Sequence, residues 1–295
     1  MVAVLQDMQF DLDGYVFGNG LPVFVDQEGF DPGESIEILQ DGVNPITGAR
    51  LWGRDMRGAK TWTFSCHVDA TDTVSAMQAL EDMGSKWLAD KWLVAENVAM
   101  LRYAIAGRTR VVFGKPRKFA HAISNRVMQG TVPPVATFDL SDSKHYDDNE
   151  QVVDLQISPT LPGGFAVPFE APLVVELPAD AVRVGSMTVG GNVSTAPVVE
   201  FIGPLTDGSV TIGPALEVGF VGTLAAGQSI IIDTRPWSMS VKRVGGGGVG
   251  VVLSRKTRLS RSLVGPGAHE AIMRGVDNTG TARCRVRWRN AYTTL

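Results

Sequence analysis

The sequence predicts a mainly β protein with two domains: an N-terminal β domain with one packed helix, followed by a C-terminal antiparallel β-sandwich. The chain has 295 residues, of which 44% are hydrophobic, so two domains of ordinary size can each bury a core. Short runs rich in β-branched and aromatic residues alternate with turn residues along most of the chain, which is typical of antiparallel β structure. Apolar residues at convincing helical spacing occur in a single segment.

That segment is "TDTVSAMQALEDMGSKWLAD", residues 71–90, which opens with Thr and Asp as candidate N-cap residues. Its apolar residues recur every three or four positions and predict one buried stripe: Val74, Met77, Leu80, Met83, Trp87 and Leu88. We expect Val74, Met77, Leu80 and Trp87 to pack this helix on the sheet of the first domain.

The rest of the N-terminal half predicts strands. In "KTWTFSCHV" the residues Trp62, Phe64, Cys66 and Val68 alternate with polar ones, which is the two-residue period of a half-buried strand. The segments "ESIEIL", "MLRYAI", "TRVVFG" and "QVVDLQI" continue the pattern. Four prolines and two glycines between residues 151 and 172 then interrupt regular structure, so we expect the first domain to span residues 1–158.

From residue 173 onward the sequence predicts strands and no helix. Short β-branched runs recur with Gly, Pro or Asp-Gly between them: "LVVEL", "VVEFIG", "SVTIG", "GFVGTL", "SIIID", "SMSVKRV" and "VGVVLS". This spacing favours a sandwich over residues 165–280, followed by a C-terminal strand, residues 281–295, that returns to the body of the protein.

Charge is unevenly distributed along the chain. Residues 1–158 carry 14 Lys and Arg against 22 Asp and Glu, whereas residues 231–295 carry 12 against 3. The formal net charge of the whole chain is −4. Because the basic residues lie along strand-like segments and do not cluster on a helix, contact between oppositely charged surfaces of subunits is favoured over a nucleic-acid patch.

Motifs for catalysis, cofactors and metals are missing from the sequence, so we expect no enzyme and no cofactor. The glycine run 245–250 lacks the Lys-Ser/Thr and the helix of a phosphate loop, so a hairpin tip is favoured. The loop "SDSKHYDDNE" lacks calcium-loop spacing. The four histidines have no paired metal-binding spacing: His67, His121, His145 and His269.

Two cysteines far apart, Cys66 and Cys284, indicate reduced core residues without a disulfide framework. The N-terminal sequence lacks the features of an export signal. No stretch approaches the roughly 20 apolar residues that span a bilayer, so we expect no membrane insertion.

Asp233, in "LAAGQSIIIDTRPW", ends a predicted strand and is followed by Thr and Arg. One interpretation is a catalytic acid at a strand end. The other is a turn, in which the carboxylate accepts hydrogen bonds from the backbone. A strand-terminal Asp without a second acid or a nucleophile nearby lacks a catalytic partner, so we expect the structural role.

Three segments of the second domain resemble a family of phage proteins. The Thr-x-Pro strand of the family, with its alternating apolar run and Gly-Pro turn, resembles "NVSTAPVVEFIGPLTDGSVTI" in this chain. The strand that follows resembles "LAAGQSIIIDTRPWSMSV". The closing turns and the last strand resemble "RSLVGPGAHEAIMRGVDNTGTARCRVRWRNAY". Together they are similar to the distal tail proteins, or minor tail proteins, of long-tailed siphophages infecting actinobacteria. The similarity covers about residues 185–295 and is looser over 1–158. The chain departs from the pattern at Gly265 and at the glycine run.

The resemblance implies a structural role in the virion, at the distal end of the tail, after assembly in the host cytoplasm. Members form a homo-hexameric ring in which the N-terminal domain is a belt continuing the tube and a galectin- or carbohydrate-module-like sandwich projects outward. The implied partners are the tail tube protein, the tail hub protein, the tape measure protein and adhesion or receptor-binding proteins. DNA passes through the lumen without specific binding, which suits the negative charge of residues 1–158.

A carbohydrate-binding module of the tail tip is the alternative function. Saccharide sites present exposed aromatic platforms beside polar groups. The candidates in the second domain stand mostly in strand runs, where burial is expected: Phe165, Phe169, Phe201, Phe220, Trp237, Trp288 and Tyr292.

The last strand carries the candidate interface residues. In "ARCRVRWRNAY" the alternation places four arginines on one face of the strand and apolar residues on the other: Arg283, Arg285, Arg287 and Arg289. Two interpretations remain open. The arginines face acidic residues of the first domain or of a neighbouring subunit, or they form a solvated edge that prevents aggregation.

Overall fold

The structure is a computed structural model, and it describes residues 4–33, 37–38, 40–53, 56–122, 125–157, 183–214, 216–244 and 252–295. The chain forms two compact units, Met1–Asp148 with Tyr292–Leu295 and Asn149–Ala291. The described part is mainly β with one α-helix, which confirms the predicted fold class. Within it, no helix has the length and apolar character needed to cross a membrane.

The first unit contains thirteen strands in its described residues: β1 (Gln9–Leu12), β2 (Tyr15–Gly18), β3 (Val23–Asp31), β4 (Glu37–Ile38), β5 (Gly42–Val43), β6 (Arg50–Leu51), β7 (Met56–Arg57), β8 (Thr61–Asp69), β9 (Ala99–Ile105), β10 (Arg108–His121), β11 (Thr131–Val132), β12 (Pro134–Leu140) and β13 (His145–Asp147). The helix is α1 (Thr73–Trp87), and 3-10 helices span Asp90–Leu93 and Asn125–Gln129.

The main sheet of the first unit has the order β11-β8-β12-β10-β9-β1-β2, with β3 paired to β8 and β13 paired to β10. Its described strand pairs are antiparallel. The predicted alternation of β8 is confirmed, because Trp62, Phe64, Cys66 and Val68 are buried between more exposed neighbours. Strands β4 to β7 stand apart as two two-stranded ladders.

The core of the first unit is rich in aromatic rings. Phe64 contacts Phe10, Phe17 and Trp87 edge-to-face, at ring-centroid distances of 5.0, 5.5 and 5.9 Å. This geometry is favoured by the quadrupoles of the rings and adds to the free energy gained from burying their area. Trp87 also donates a hydrogen bond from Nε1 to the carbonyl oxygen of Thr137 at 3.0 Å, which ties the helix to β12.

Helix α1 begins after Asp72, whose carboxylate accepts a hydrogen bond from the backbone N–H of Ser75 at 2.9 Å. Its buried residues are Ala76, Leu80, Met83 and Trp87, and Met77 packs against the core while partly exposed. The predicted packing of Leu80 and Trp87 is confirmed.

Two residues of the predicted stripe are exposed, so the prediction was wrong there. Val74 is 78% exposed, because at 3.6 residues per turn it lies about 150° around the helix from the buried face. Leu88 is 58% exposed and follows the last helical residue.

The second unit contains strands β14 (Gln151–Gln156), β15 (Val184–Val189), β16 (Val198–Ile202), β17 (Leu205–Ile212), β18 (Leu216–Val221), β19 (Thr223–Leu224), β20 (Ser229–Asp233), β21 (Ser240–Val244), β22 (Val252–Leu253), β23 (Gly267–Val276) and β24 (Arg283–Trp288). The last strand, β25 (Ala291–Tyr292), pairs with β13. A 3-10 helix spans Leu259–Arg261.

These strands form two sheets that share one aliphatic core. One sheet has the order β14-β24-β16-β20-β21, and the other has the order β15-β23-β17-β18-β22 with β19 beside β17. Buried residues of both sheets, including Val199, Ile230, Val210 and Met273, belong to the same cluster. The predicted antiparallel sandwich is therefore confirmed. The predicted strand "LVVEL" lies outside the described residues.

The boundaries of the units differ from those expected from the sequence. Strand β14 was assigned to the first domain, but it pairs with β24 in the second unit, where Leu155 is buried in the sandwich core. Strand β24 lies in the second unit as well, and only Tyr292–Leu295 group with the first.

The glycine run 245–250 lies outside the described residues, but the strands on either side of it are described. Strand β21 pairs with β20, whereas β22 pairs with β18 in the other sheet. The hairpin tip predicted for the glycine run therefore stays a prediction.

Candidate assembly surfaces

Asp233 has the structural role expected from its sequence. Its Oδ1 accepts a hydrogen bond from the backbone N–H of Arg235 at 3.0 Å, which is an Asx-turn, and its Oδ2 lies 2.6 Å from Nη2 of the same residue. Burial alone would raise the pKa of Asp233, but the hydrogen bonds and the charge of Arg235 hold it below its ordinary value. The carboxylate stabilises the turn after β20.

The arginines of β24 stand in the middle of a sheet. Strand β24 lies between β14 and β16, so the solvated-edge interpretation is wrong. Arg285 donates from Nε to Oδ1 of Asp154 at 2.8 Å, and Nη2 of Arg287 lies 4.0 Å from Oε2 of Glu200. Asp154 belongs to β14 and Glu200 to β16, so these arginines meet acids from neighbouring strands of their own sheet.

The other two candidate arginines lie at the ends of this row. Arg283 is exposed at the start of β24, and Arg289 follows the strand. The backbone carbonyl of Arg289 accepts a hydrogen bond from Oγ1 of Thr195 at 2.7 Å. The alternation on which the row was predicted is confirmed, because Cys284, Val286 and Trp288 are buried.

A surface that the sequence analysis missed lies in the first unit. Strands β4 to β7 pair as β4 with β7 and β5 with β6, and we call the described residues of these two ladders, 37–38, 40–53 and 56–57, the arm. At its tip, Oδ1 of Asn44 accepts from the backbone N–H of Ile46 at 2.9 Å, and Gly48 has φ +69°, which suits glycine. The turn signals Asn-Pro and Thr-Gly in "DGVNPITGAR" mark this tip in the sequence.

Large apolar side chains on the arm are exposed: Ile46 by 91%, Trp52 by 75%, Val43 by 68%, Leu51 by 54% and Met56 by 48%. The guanidinium of Arg50 stacks over the Trp52 ring at 4.5 Å and pairs with Asp41. Several large apolar side chains exposed on one short element indicate an interaction site. A two-stranded ribbon is also marginally stable alone, so a partner that covers it stabilises it.

A cleft of about 630 Å³ lies elsewhere on the first unit. Half-buried apolar side chains line it, among them Met8, Leu21 and Phe24, together with the carboxylates Asp26 and Asp69. This volume is within the range of about 300–1,000 Å³ that is typical of ligand sites. It combines an apolar lining with acidic groups.

Inside the first unit, a buried arginine forms ion pairs with two aspartates of the same chain. Arg102 is buried, and its Nη1 lies 2.9 Å from Oδ2 of Asp11 while its Nη2 lies 2.6 Å from Oδ2 of Asp148. The hydrogen bonds to Asp148 raise the pKa of Arg102 despite its burial. Removing one member of this triad would leave a buried charge unpaired and lower the free energy of unfolding, so the triad has a structural role in the sheet.

The histidines and cysteines do not assemble into a reactive centre in the described part of the chain, where no group of three His, Cys, Asp or Glu is placed to hold a metal ion. His145 is buried, its Nδ1 lies 2.7 Å from the Tyr103 hydroxyl, and burial lowers its pKa to about 4. Burial raises the pKa of the Cys66 thiol to about 12 and raises that of Cys284 as well. Both thiols are therefore protonated and unreactive at neutral pH.

Few aromatic side chains are available as a saccharide platform. Phe201, Phe220 and Trp288 are buried in the sandwich core, and Trp237 and Tyr292 are half-buried. The Tyr292 ring is covered by the guanidinium of Arg110 at 4.1 Å. Two further candidates, Phe165 and Phe169, lie outside the described residues.

Comparison with known proteins gives matches in fold and not in sequence. No family model matches the chain, and no curated protein matches its sequence. Its fold is similar to that of the Dit protein of phage SPP1, with a TM-score of 0.54 and 9% identity over 96% of this chain and 98% of that one. It is also similar to a chain of the phage P2 baseplate in its activated conformation with calcium, with a TM-score of 0.57 and 13% identity over 95% and 97% of the two chains. The strontium form of that baseplate gives the same values.

Proposed function

We propose that this chain is a structural protein of a phage virion that forms a homo-hexameric ring at the distal end of the tail tube. The observation that carries the proposal is the fold similarity to the SPP1 and P2 chains, which spans 95% or more of this chain and 97% or more of theirs. The similarity includes both units, so it is not a match of one common sandwich to another. The SPP1 Dit protein is described as a paradigm of the hub adsorption apparatus in phages that infect Gram-positive bacteria.

In this role the ring links the tail tube protein on one side to the tail hub protein on the other. The tape measure protein and the DNA occupy its lumen, and adhesion or receptor-binding proteins attach to the tail tip. No catalytic step is required of the chain. Its work is to hold neighbouring proteins in position while DNA leaves the particle.

The charge of the first 158 residues supports a channel that does not grip DNA. Their 22 acidic against 14 basic side chains disfavour contacts with phosphates, which would otherwise be favourable and salt-dependent. We expect the purified chain to show no tight binding of duplex DNA at low salt. Fluorescence anisotropy with a labelled duplex measures this directly, and tight, salt-sensitive binding would contradict a passive lumen.

The exposed arm supports assembly into a larger structure. Its apolar side chains are left uncovered by the described residues of the chain, and such surfaces are normally buried on association. The arginines of β24 remain a second candidate contact. The side chain of Arg285 is 43% exposed even while it pairs with Asp154, so it can still meet a further acidic group on a neighbour.

The mass and symmetry of the purified chain test the proposal. Native mass spectrometry should give six times the mass of one chain, and electron microscopy class averages should show a six-fold ring with a central hole. A chain that stays monomeric at all accessible concentrations, alone and when mixed with the tube and hub proteins of its phage, would contradict the ring.

A further inference from the structure

The arm and the cleft lie at opposite ends of one β ladder. In the antiparallel pair of β3 and β8, Asp31 faces Thr63 at one end and Val23 faces Val68 at the other. The arm connects the ends at Asp31 and Thr61, whereas the cleft is lined by Leu21 and Pro22, which precede β3, by Phe24 to Gln27 in the first half of β3, and by Asp69. An exposed apolar element and a concave site towards the two ends of the same ladder are suited to head-to-tail contact between copies.

The chemistry of the arm defines what it needs from a partner. Trp52, Leu51 and Val43 present apolar area, and Arg50 stacks on the Trp52 ring. Nε and Nη2 of Arg50 donate to Asp41, but a guanidinium has five N–H donors, so the remaining N–H groups can donate to a further carboxylate. The arm therefore suits a site that is apolar in its interior and acidic at its edge.

The cleft offers this combination. Met8, Leu21 and Phe24 supply apolar atoms, and the carboxylates of Asp26 and Asp69 are on its lining. The side chain of Asp26 is 44% exposed, and its contact with His67 is long, at 3.7 Å. An acid that is still partly hydrated can take an arginine from another molecule without losing a strong partner.

We propose that the arm of one copy binds in the cleft of the next copy, with Trp52 and its stacked Arg50 as the inserted group. This inference rests on the proposed ring and names the contact that closes it. A second copy is the occupant because each chain carries both complementary parts, and because their positions at opposite ends of the β3–β8 ladder make the contact heterologous. Heterologous contacts between identical chains close into rings when the rotation per subunit allows it.

Two variants separate the two halves of this contact. The arm variant combines Trp52→Ser with Ile46→Ser, and the cleft variant combines Leu21→Lys with Asp26→Lys. Val74→Ser is the matched control, because Val74 is a similarly exposed apolar residue on α1 that belongs neither to the arm nor to the lining of the cleft. Each variant is first compared with the wild type by circular dichroism and thermal unfolding, so that loss of assembly is measured on folded protein.

The wild type and the control should form the ring. The arm variant and the cleft variant should each remain monomeric, because loss of a central aromatic anchor raises the protein concentration needed for half-assembly by about 30-fold or more. A 1:1 mixture of the two variants should give a dimer that contains one copy of each. In that mixture one intact arm meets one intact cleft, and no further contact is possible.

The outcomes show whether the arm of one copy binds in the cleft of the next. A ring formed by the arm variant, a ring formed by the cleft variant, or a mixture without the mixed dimer overturns the proposal while leaving the ring itself intact. A wild type that stays monomeric both alone and when mixed with the tube and hub proteins of its phage would instead contradict the proposed function, so the two failures are distinguishable. Native mass spectrometry with one isotope-labelled variant identifies the composition of the dimer.

Discussion

The arm and the arginines of β24 are two surfaces of one chain that differ in whether their side chains find partners within that chain. Arg285 and Arg287 meet Asp154 and Glu200 on the flanking strands of their sheet, whereas Trp52 on the arm is 75% exposed. The pattern of alternating arginines is the more conspicuous in the sequence. The arm nevertheless has the greater need of a partner, because exposed apolar area is unfavourable in water while exposed charge is not.

This comparison shows what sequence periodicity detects. Alternation along β24 correctly separates its buried face from its polar face, because that property belongs to one strand. Which strands flank it is a property of the whole topology. The acids beside Arg285 and Arg287 are Asp154 and Glu200, which precede them by 131 and 87 positions in the chain, and nothing local to β24 indicates them.

Leu80→Asp gives the largest expected effect, a loss in the free energy of unfolding of the first unit. Leu80 is buried beneath α1, so the substitution places an unpaired carboxylate in an aromatic core and removes apolar contacts. The cost of about 4 kcal/mol or more is a large part of the stability of a typical domain, and we expect no soluble folded protein. Expression and solubility assays check this. Soluble protein that still assembles would show that α1 is not part of the core.

Trp52→Ser with Ile46→Ser should separate assembly from folding. Both side chains are exposed, so the free energy of unfolding of the monomer should change by about 0.5 kcal/mol or less. Assembly should be lost at every salt concentration, because the contact is mainly apolar. Sedimentation velocity across a salt series measures this, and an arm variant that regains the ring at low salt would show that charge dominates the contact.

Acid should weaken the first unit through His145. Its pKa is lowered by burial from 6.5 to about 4, so the folded state favours the neutral form. The stability that this contributes is complete above pH 6.5 and is lost as the pH falls towards 4, by up to about 3 kcal/mol. Urea unfolding at pH 7.5 and pH 5 measures the loss. His145→Gln should remove most of the difference, and an unchanged pH dependence in that variant would assign it to other groups.

Arg285→Gln with Arg287→Gln gives the smallest expected effect. Exposed ion pairs contribute under about 1 kcal/mol each, so the melting temperature of the monomer should stay nearly unchanged. If these arginines contact a neighbouring subunit, ring assembly weakens at moderate salt and is normal at low salt. Assembly identical to the wild type across the whole salt series would confine the arginines to their own sheet.

Local chemistry predicted several features correctly. Spacings of three and four residues identified α1, and the position of Asp233 after an apolar run identified its Asx-turn. The exposure of Val74 was missed because successive spacings of three residues each fall about 60° short of a full turn, so that Val74 lies nearly opposite the buried Met83. The hairpin tip expected at residues 245–250 stays a prediction, because the run lies outside the described residues.

The assembly surface was harder to predict for a related reason. Trp52 and Ile46 are apolar residues in a segment with turn signals, and sequence patterns assign apolar residues to a core by default. Only the structure shows that strands β4 to β7 pair among themselves and leave these side chains uncovered. A short run with apolar residues on both sides of an Asn-Pro turn is the signal that would have indicated it.

The most direct test of this account is native mass spectrometry of three proteins side by side: the wild type, the Trp52→Ser, Ile46→Ser arm variant and the Arg285→Gln, Arg287→Gln variant. The account predicts six copies for the wild type, one copy for the arm variant, and six copies for the arginine variant at low salt. A six-copy ring from the arm variant would contradict the central claim that the arm holds neighbouring copies together.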